Sequence, residues 1–118
     1  MSKYRNETLA IRIQNERSQE AEHSVPLYLT SSYVFDDAEQ MRAAFSDEIE
    51  ANIYSRYSNP NVDELLEKVA VLEAGEAAWA TATGMAAVFT TFAALLQSGD
   101  HIVSSKSVFG STHQLFVN

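Results

Sequence analysis

The spacing of apolar side chains changes several times along the chain, and each change marks an element. Between Asn59 and Gly75, the residues Val62, Leu65, Leu66, Val69 and Leu72 recur at intervals of three and four, the single stripe of an amphipathic helix. Asn59-Pro60 opens that helix, with asparagine as N-cap and proline at the first helical position. Gly75 stands where a left-handed cap would close it. Residues 85–97 are apolar on nearly every side, through Val88, Phe89, Phe92, Leu95 and Leu96, and a run of that length predicts a buried helix. Residues 77–82 are small and apolar and predict a buried strand, and residues 101–105, beyond the Ser98-Gly99-Asp100 turn, predict a second. Gly110-Ser111-Thr112 starts another helix. Strand, helix, strand and helix start make a βαβ unit with a parallel pair. Two buried parallel strands cannot cover their own faces and edges, so the pattern predicts a larger α/β domain cut off within its sheet.

Upstream the signals are more local. Residues 7–17 carry Leu9, Ile11 and Ile13 among polar neighbours and, with the charged stretch to His23, predict an exposed arm or short helix. Residues 25–35 are rich in aromatic and hydroxyl side chains, and Pro26 favours extended structure there. Asp36-Asp37 predicts a helix start, continued by Ala38, Met41, Arg42 and Phe45. A loop follows and ends in Ile53-Tyr54-Ser55-Arg56-Tyr57-Ser58. The chain is thus expected to divide into an arm-and-loop region, 1–58, and an α/β region, 59–118.

Composition narrows the chemistry. A chain of 118 residues suffices for one compact domain. Its net charge of −8, with only 8 Lys and Arg, argues against nucleic acid and anionic membranes as partners. No apolar run approaches the roughly 20 residues of a membrane span, and the polar start lacks the apolar core of a secretory signal. A cytoplasmic location is expected. The absence of cysteine excludes disulfides, thiolate metal sites and cysteine nucleophiles within these residues. His101 and His113 have no further ligand at a recognisable spacing, so no metal site is expected. An anion site would have to combine one or two cations with backbone dipoles.

Three features suit such a site. Thr83-Gly84-Met85 leads from the first strand into a helix, whose N-terminal N–H groups and partial positive charge suit a phosphate. Gly84 permits close approach, and the Thr81 and Thr83 hydroxyls are candidate donors. Tyr54 and Arg56 place a phenol and a planar cation in the loop before a well-capped helix. Phe109 follows the second strand at its C-terminal end, where open parallel sheets bind ligands, and its ring can stack on a flat heterocycle. Each has a plainer reading: a strand-to-helix turn, a surface arginine lying on aromatics, a core phenylalanine.

Taken together, Tyr54-Ser55-Arg56, Asn59-Pro60, the apolar helix, Thr83-Gly84-Met85-Ala86-Ala87, Ser98-Gly99-Asp100 and Phe109-Gly110-Ser111-Thr112 resemble the Cys/Met-metabolism (trans-sulfuration) enzymes that depend on pyridoxal 5'-phosphate (PLP). The resemblance runs from Glu7-Thr8-Leu9-Ala10 to the end, and Phe109 with residues 28–35 is most similar to the O-succinylhomoserine sulfhydrylase branch. It implies the N-terminal part of an α/β, fold-type I (aspartate-aminotransferase-like) large domain, with an extended arm and an incomplete sheet. Gly84 and Met85 would hold the PLP phosphate, and Phe109 would stack on the pyridine ring. Tyr54 and Arg56 would reach a neighbouring subunit's cofactor, in a dimer of dimers. The implied chemistry is γ-replacement on an O-activated homoserine, an amino-acid substrate, by sulfide or cysteine.

The family's Schiff-base lysine has no counterpart at Lys3, Lys68 or Lys106, and Asp100 reads as a turn residue rather than the acidic partner of the pyridine nitrogen. No catalytic residue is therefore assigned, and the chain is expected to be inactive alone. A non-catalytic module that binds a phosphorylated ligand, or docks on a relative, is the alternative. A nucleotide-binding βαβ unit is disfavoured, because residues 83–87 carry neither a Gly-x-Gly-x-x-Gly pattern nor a Walker lysine.

Overall fold

A computed structural model describes residues 4–14 and 16–117. It contains α1 (Asn6–Arg12), α2 (Ala38–Phe45), α3 (Pro60–Leu72), α4 (Gly84–Leu95) and α5 (Gly110–Val117). The chain forms two units, Met1–Ala78 and Trp79–Asn118.

In the first unit the caps are set by neighbouring side chains. The Asp37 carboxylate accepts from the Gln40 N–H at 2.7 Å and starts α2. Phe45, at the end of α2, meets Phe35 with ring centroids 6.4 Å apart. Arg42 then pins the following loop. Its guanidinium bonds Glu39 at 2.7 Å and Glu48 at 2.7 Å, and this pairing holds both carboxyls below their usual range.

Asn59 caps α3 as expected, accepting from the Asn61 N–H at 2.9 Å, with Pro60 in the first turn. The other end departs from expectation. Ala74, not Gly75, takes the left-handed conformation, at φ 53°. The N–H of Gly75 donates to Ala70 O at 2.8 Å and that of Ala74 to Val71 O at 3.3 Å, the paired bonds of a Schellman closure. The hydrogen-bonding pattern fixes which residue turns left-handed, and here it falls one position before the glycine.

The apolar stripe of α3 is also not its most buried face. Val62, Leu65 and Val69 are exposed, whereas Glu64 is buried and pairs with half-buried Lys68, which the sequence pattern puts on the polar side. Helix α1 packs on α3. The only buried apolar residue among the described residues is Ala44, at 2% exposure.

The second unit corrects the expected sheet. Residues 77–82 (which begin at the end of the first unit) and 101–105 are neither helical nor paired. Among the described residues, β-pairing is confined to one isolated antiparallel bridge, Ser32 to Tyr54, in the first unit. Two strands alone are marginal in water, and parallel pairing is weaker per residue than antiparallel. Without further strands beside them, Trp79 and Val103 stay exposed, at 74% and 101%. The expected burial of α4 is absent for the same reason: it has no buried residue, and Phe89 and Leu95 face solvent. Its bounds, Gly84–Leu95, lie close to the expected 85–97.

Helices α4 and α5 pack against each other. Near their starts, the Thr112 hydroxyl donates to the Met85 sulfur at 3.8 Å. Further along, the Phe92 and Phe116 rings meet edge to face, with centroids 4.8 Å apart. These two contacts, in that order, mean that the helices run in the same direction with their N-termini side by side.

Candidate functional site: two helix mouths and an arginine loop

Thr83 organises the start of α4. Its side-chain oxygen accepts from the Ala86 N–H at 3.1 Å, and its carbonyl accepts from the Ala87 N–H at 3.1 Å. The N–H groups of Gly84 and Met85 are too early in the helix for an intrahelical acceptor, and neither has a partner among the described residues. They are thus the two donors left for an anion, with the helix dipole behind them. A Cβ added at Gly84 or Gly110 would meet nothing within 4 Å, so both helix mouths stay open to close approach.

The threonine hydroxyls divide. Thr83 keeps its proton available while its oxygen caps, but Thr81 donates to Thr83 O at 2.8 Å and its proton is committed. Of the two expected donors, only Thr83 remains.

Phe109 immediately precedes α5, with its carbonyl accepting from the His113 N–H at 3.0 Å. It is not a core side chain, since 71% of it is exposed. The pairing of α4 with α5 brings the helix starts of Gly84, Met85 and Phe109 to one end of the second unit. That end offers backbone donors, a free aromatic face and no competing side-chain volume at the glycines, which fits a phosphorylated heterocycle such as PLP.

Tyr54 and Arg56 belong to the first unit. The Arg56 guanidinium lies over the Tyr54 ring, 5.3 Å from its centroid, and both side chains are exposed. They line a groove of about 480 Å³ with Tyr33, Phe35, Phe45 and Tyr57, in which the buried Tyr33 hydroxyl has no partner. The plainer reading of Arg56, stacking on an aromatic ring, is thus observed, and the side chain, whose donors lie along the edge of the guanidinium plane, is exposed.

Lys106 sits exposed in a turn beside the Ser105–Ser107 bond. Asp100 accepts from the Gln97 N–H at 2.8 Å, inside the turn that the positive φ of Gly99 completes. Lys3 lies outside the described residues. No grouping of His, Asp and Glu among the described residues could hold a metal ion, and no described helix is long and apolar enough to cross a membrane. Sequence reasoning missed the reach of the asparagines around Pro60. Asn59 and Asn61 bond backbone on residues 26–28, and the Asn-Pro-Asn order was its only local trace.

Known proteins resemble this chain in sequence and in fold. The chain is 48% identical over 110 residues to the O-succinylhomoserine sulfhydrylase of Pseudomonas aeruginosa, covering 93% of this chain and 27% of that protein. It is 43% identical to the O-succinylhomoserine sulfhydrylase of Mycobacterium tuberculosis, covering 88% of this chain and 26% of the relative. The L-methionine gamma-lyase of Fusobacterium nucleatum is 44% identical, over 78% of this chain and 23% of its own length. The chain therefore spans about a quarter of the length of these relatives. Its structure superposes with a TM-score of 0.87 and 35% identity on a Campylobacter jejuni protein assigned as an O-acetylhomoserine (thiol)-lyase, solved with a pyridoxyl-lysine monophosphate residue. That likeness covers 96% of this chain and 28% of that protein. A model of the Cys/Met metabolism PLP-dependent enzymes matches residues 7–118, and the chain belongs to that family.

Proposed function

We propose that this chain supplies the phosphate-binding part of a PLP site in an enzyme that replaces the γ-substituent of an O-activated homoserine with sulfide. O-succinylhomoserine is the ester of choice, because the two sulfhydrylases that use its name match at 43–48% identity. The observation that carries the proposal is the pair of unpartnered N–H groups at Gly84 and Met85, at a helix mouth shared with an exposed Phe109.

In this reading Gly84 and Met85 donate to the phosphate, and the Thr83 hydroxyl adds a third donor. The Phe109 ring covers one face of the pyridine and excludes water from it. Tyr54 and Arg56 reach the phosphate of a neighbouring subunit's cofactor within a homo-oligomer built as a dimer of dimers. Residues 1–58 serve as arm and intersubunit loop, and residues 59–118 begin the α/β fold-type I domain, whose strands at 77–82 and 101–105 pair with further strands. When bound, PLP supplies an electron sink for charge developing on the substrate. In the net reaction the Cγ–O bond breaks, the succinate leaves, and a C–S bond forms in its place. The chain alone is inactive in this reading, for Lys3, Lys68 and Lys106 do not match the family's Schiff-base position in sequence, and the assembled enzyme is cytoplasmic.

The test is turnover by the intact protein with added PLP. Formation of homocysteine from O-succinylhomoserine and sulfide is expected. Turnover of methionine alone, or of no homoserine ester, would overturn the proposal.

A further inference from the structure

The loop bearing Tyr54 and Arg56 is fastened by a polar clasp that capping α3 does not require. The Oδ1 of Asn59 serves the cap, accepting from the Asn61 N–H at 2.9 Å. Its Nδ2 faces the other way, donating to Tyr28 O at 3.1 Å and to Ser55 Oγ at 3.2 Å. Ser55 passes the connection on: its hydroxyl donates to Thr30 O at 2.5 Å and its N–H to Ser31 O at 2.9 Å. Asn59 is only 7% exposed, although most of its surroundings are open to solvent. A cap needs one oxygen, which serine would supply about as well. The amide donor is the part that reaches the arginine loop.

We infer that Asn59, acting through Ser55, is a positioning residue that holds Tyr54 and Arg56 in the pose from which they grip the cofactor's phosphate. The inference rests on the phosphate role proposed above for those two residues. Ser55 lies between them, so its bonds to residues 30 and 31 fix the backbone that carries both side chains. Apart from this backbone, the 5.3 Å contact with the Tyr54 ring is what orients Arg56 among the described residues. An exposed guanidinium on an unfastened loop loses backbone and rotamer freedom when it binds, and that loss weakens the grip. With the clasp closed, the backbone share of the ordering is complete before the ligand arrives.

The experiment compares the affinity of the intact apoprotein for PLP and for pyridoxal, which lacks the phosphate. The ratio of the two dissociation constants isolates the phosphate grip. Arg56→Ala should reduce the PLP preference by about 10- to 100-fold, the range of a lost charge-assisted bond. Asn59→Ser keeps a capping oxygen but not the amide donor, and should reduce the preference about 3- to 10-fold with pyridoxal affinity unchanged. Ser55→Ala should do the same, and Ser55→Thr, which keeps the hydroxyl, should restore it. In the Arg56→Ala background, Asn59→Ser should add nothing further. Equal weakening of PLP and pyridoxal by Asn59→Ser and Ser55→Ala, or no change in either, would overturn the positioning role while Arg56 kept its own. An unchanged preference in Arg56→Ala would instead remove the phosphate role itself, and the inference with it.

Discussion

Ala74 occupies the left-handed region, at φ 53°, where a Cβ is crowded and glycine is not. Ala74→Gly should therefore stabilise the first unit by roughly 1 kcal/mol, seen as a higher urea midpoint at unchanged slope. A midpoint that stays or falls would mean that the turn carries no strain. The same residue explains why the end of α3 was read one position late. A glycine announces that a left-handed turn is cheap, but the bonds to Ala70 and Val71 decide where it occurs. Residue chemistry also governs Lys106. Exposed in a turn, it should form no stoichiometric borohydride-stable adduct when the chain is treated with PLP. Peptide mapping that finds such an adduct on Lys106 would contradict the assignment of no catalytic residue here.

Elements whose instructions lie within three or four residues were legible in the sequence. Asp37 and Asn59 cap α2 and α3 where the pattern places them, because a cap bond reaches only to the next turn. The helix mouth at Gly84 was legible for the same reason. The pairing of residues 77–82 and 101–105 was not, since a strand's bonds depend on neighbours remote in sequence. Nor was the burial of Glu64, which pairs with Lys68 one turn along α3. The Arg42 clamp at the end of α2 gives a pH dependence. Its bonds lower the Glu39 and Glu48 carboxyl pKa values in the folded state. Their contribution is therefore complete above the unfolded carboxylate pKa and is lost as pH falls through the lowered folded values. Stability of the first unit should decline on acidification below the ordinary glutamate range, and Arg42→Ala should flatten that part of the curve. An identical acid profile in Arg42→Ala would show that the clamp contributes nothing, the common fate of exposed ion pairs.

At the scale of the whole molecule, large apolar side chains of both units stand open to solvent: Leu65 and Val69 on α3, Phe89 and Leu95 on α4, and Trp79 and Val103 in the segments before and after α4. Surfaces of this kind associate in water. The isolated chain should sediment as concentration-dependent oligomers or aggregates, and a monodisperse, cooperatively melting monomer would contradict that expectation. The central claim is narrower: the start of α4 seats a phosphate. A crystal structure of the intact protein with PLP bound tests it most directly. Phosphate oxygens should lie about 2.7–3.2 Å from the backbone nitrogens of both Gly84 and Met85. A phosphate bound elsewhere, with those two nitrogens facing only solvent, would contradict it.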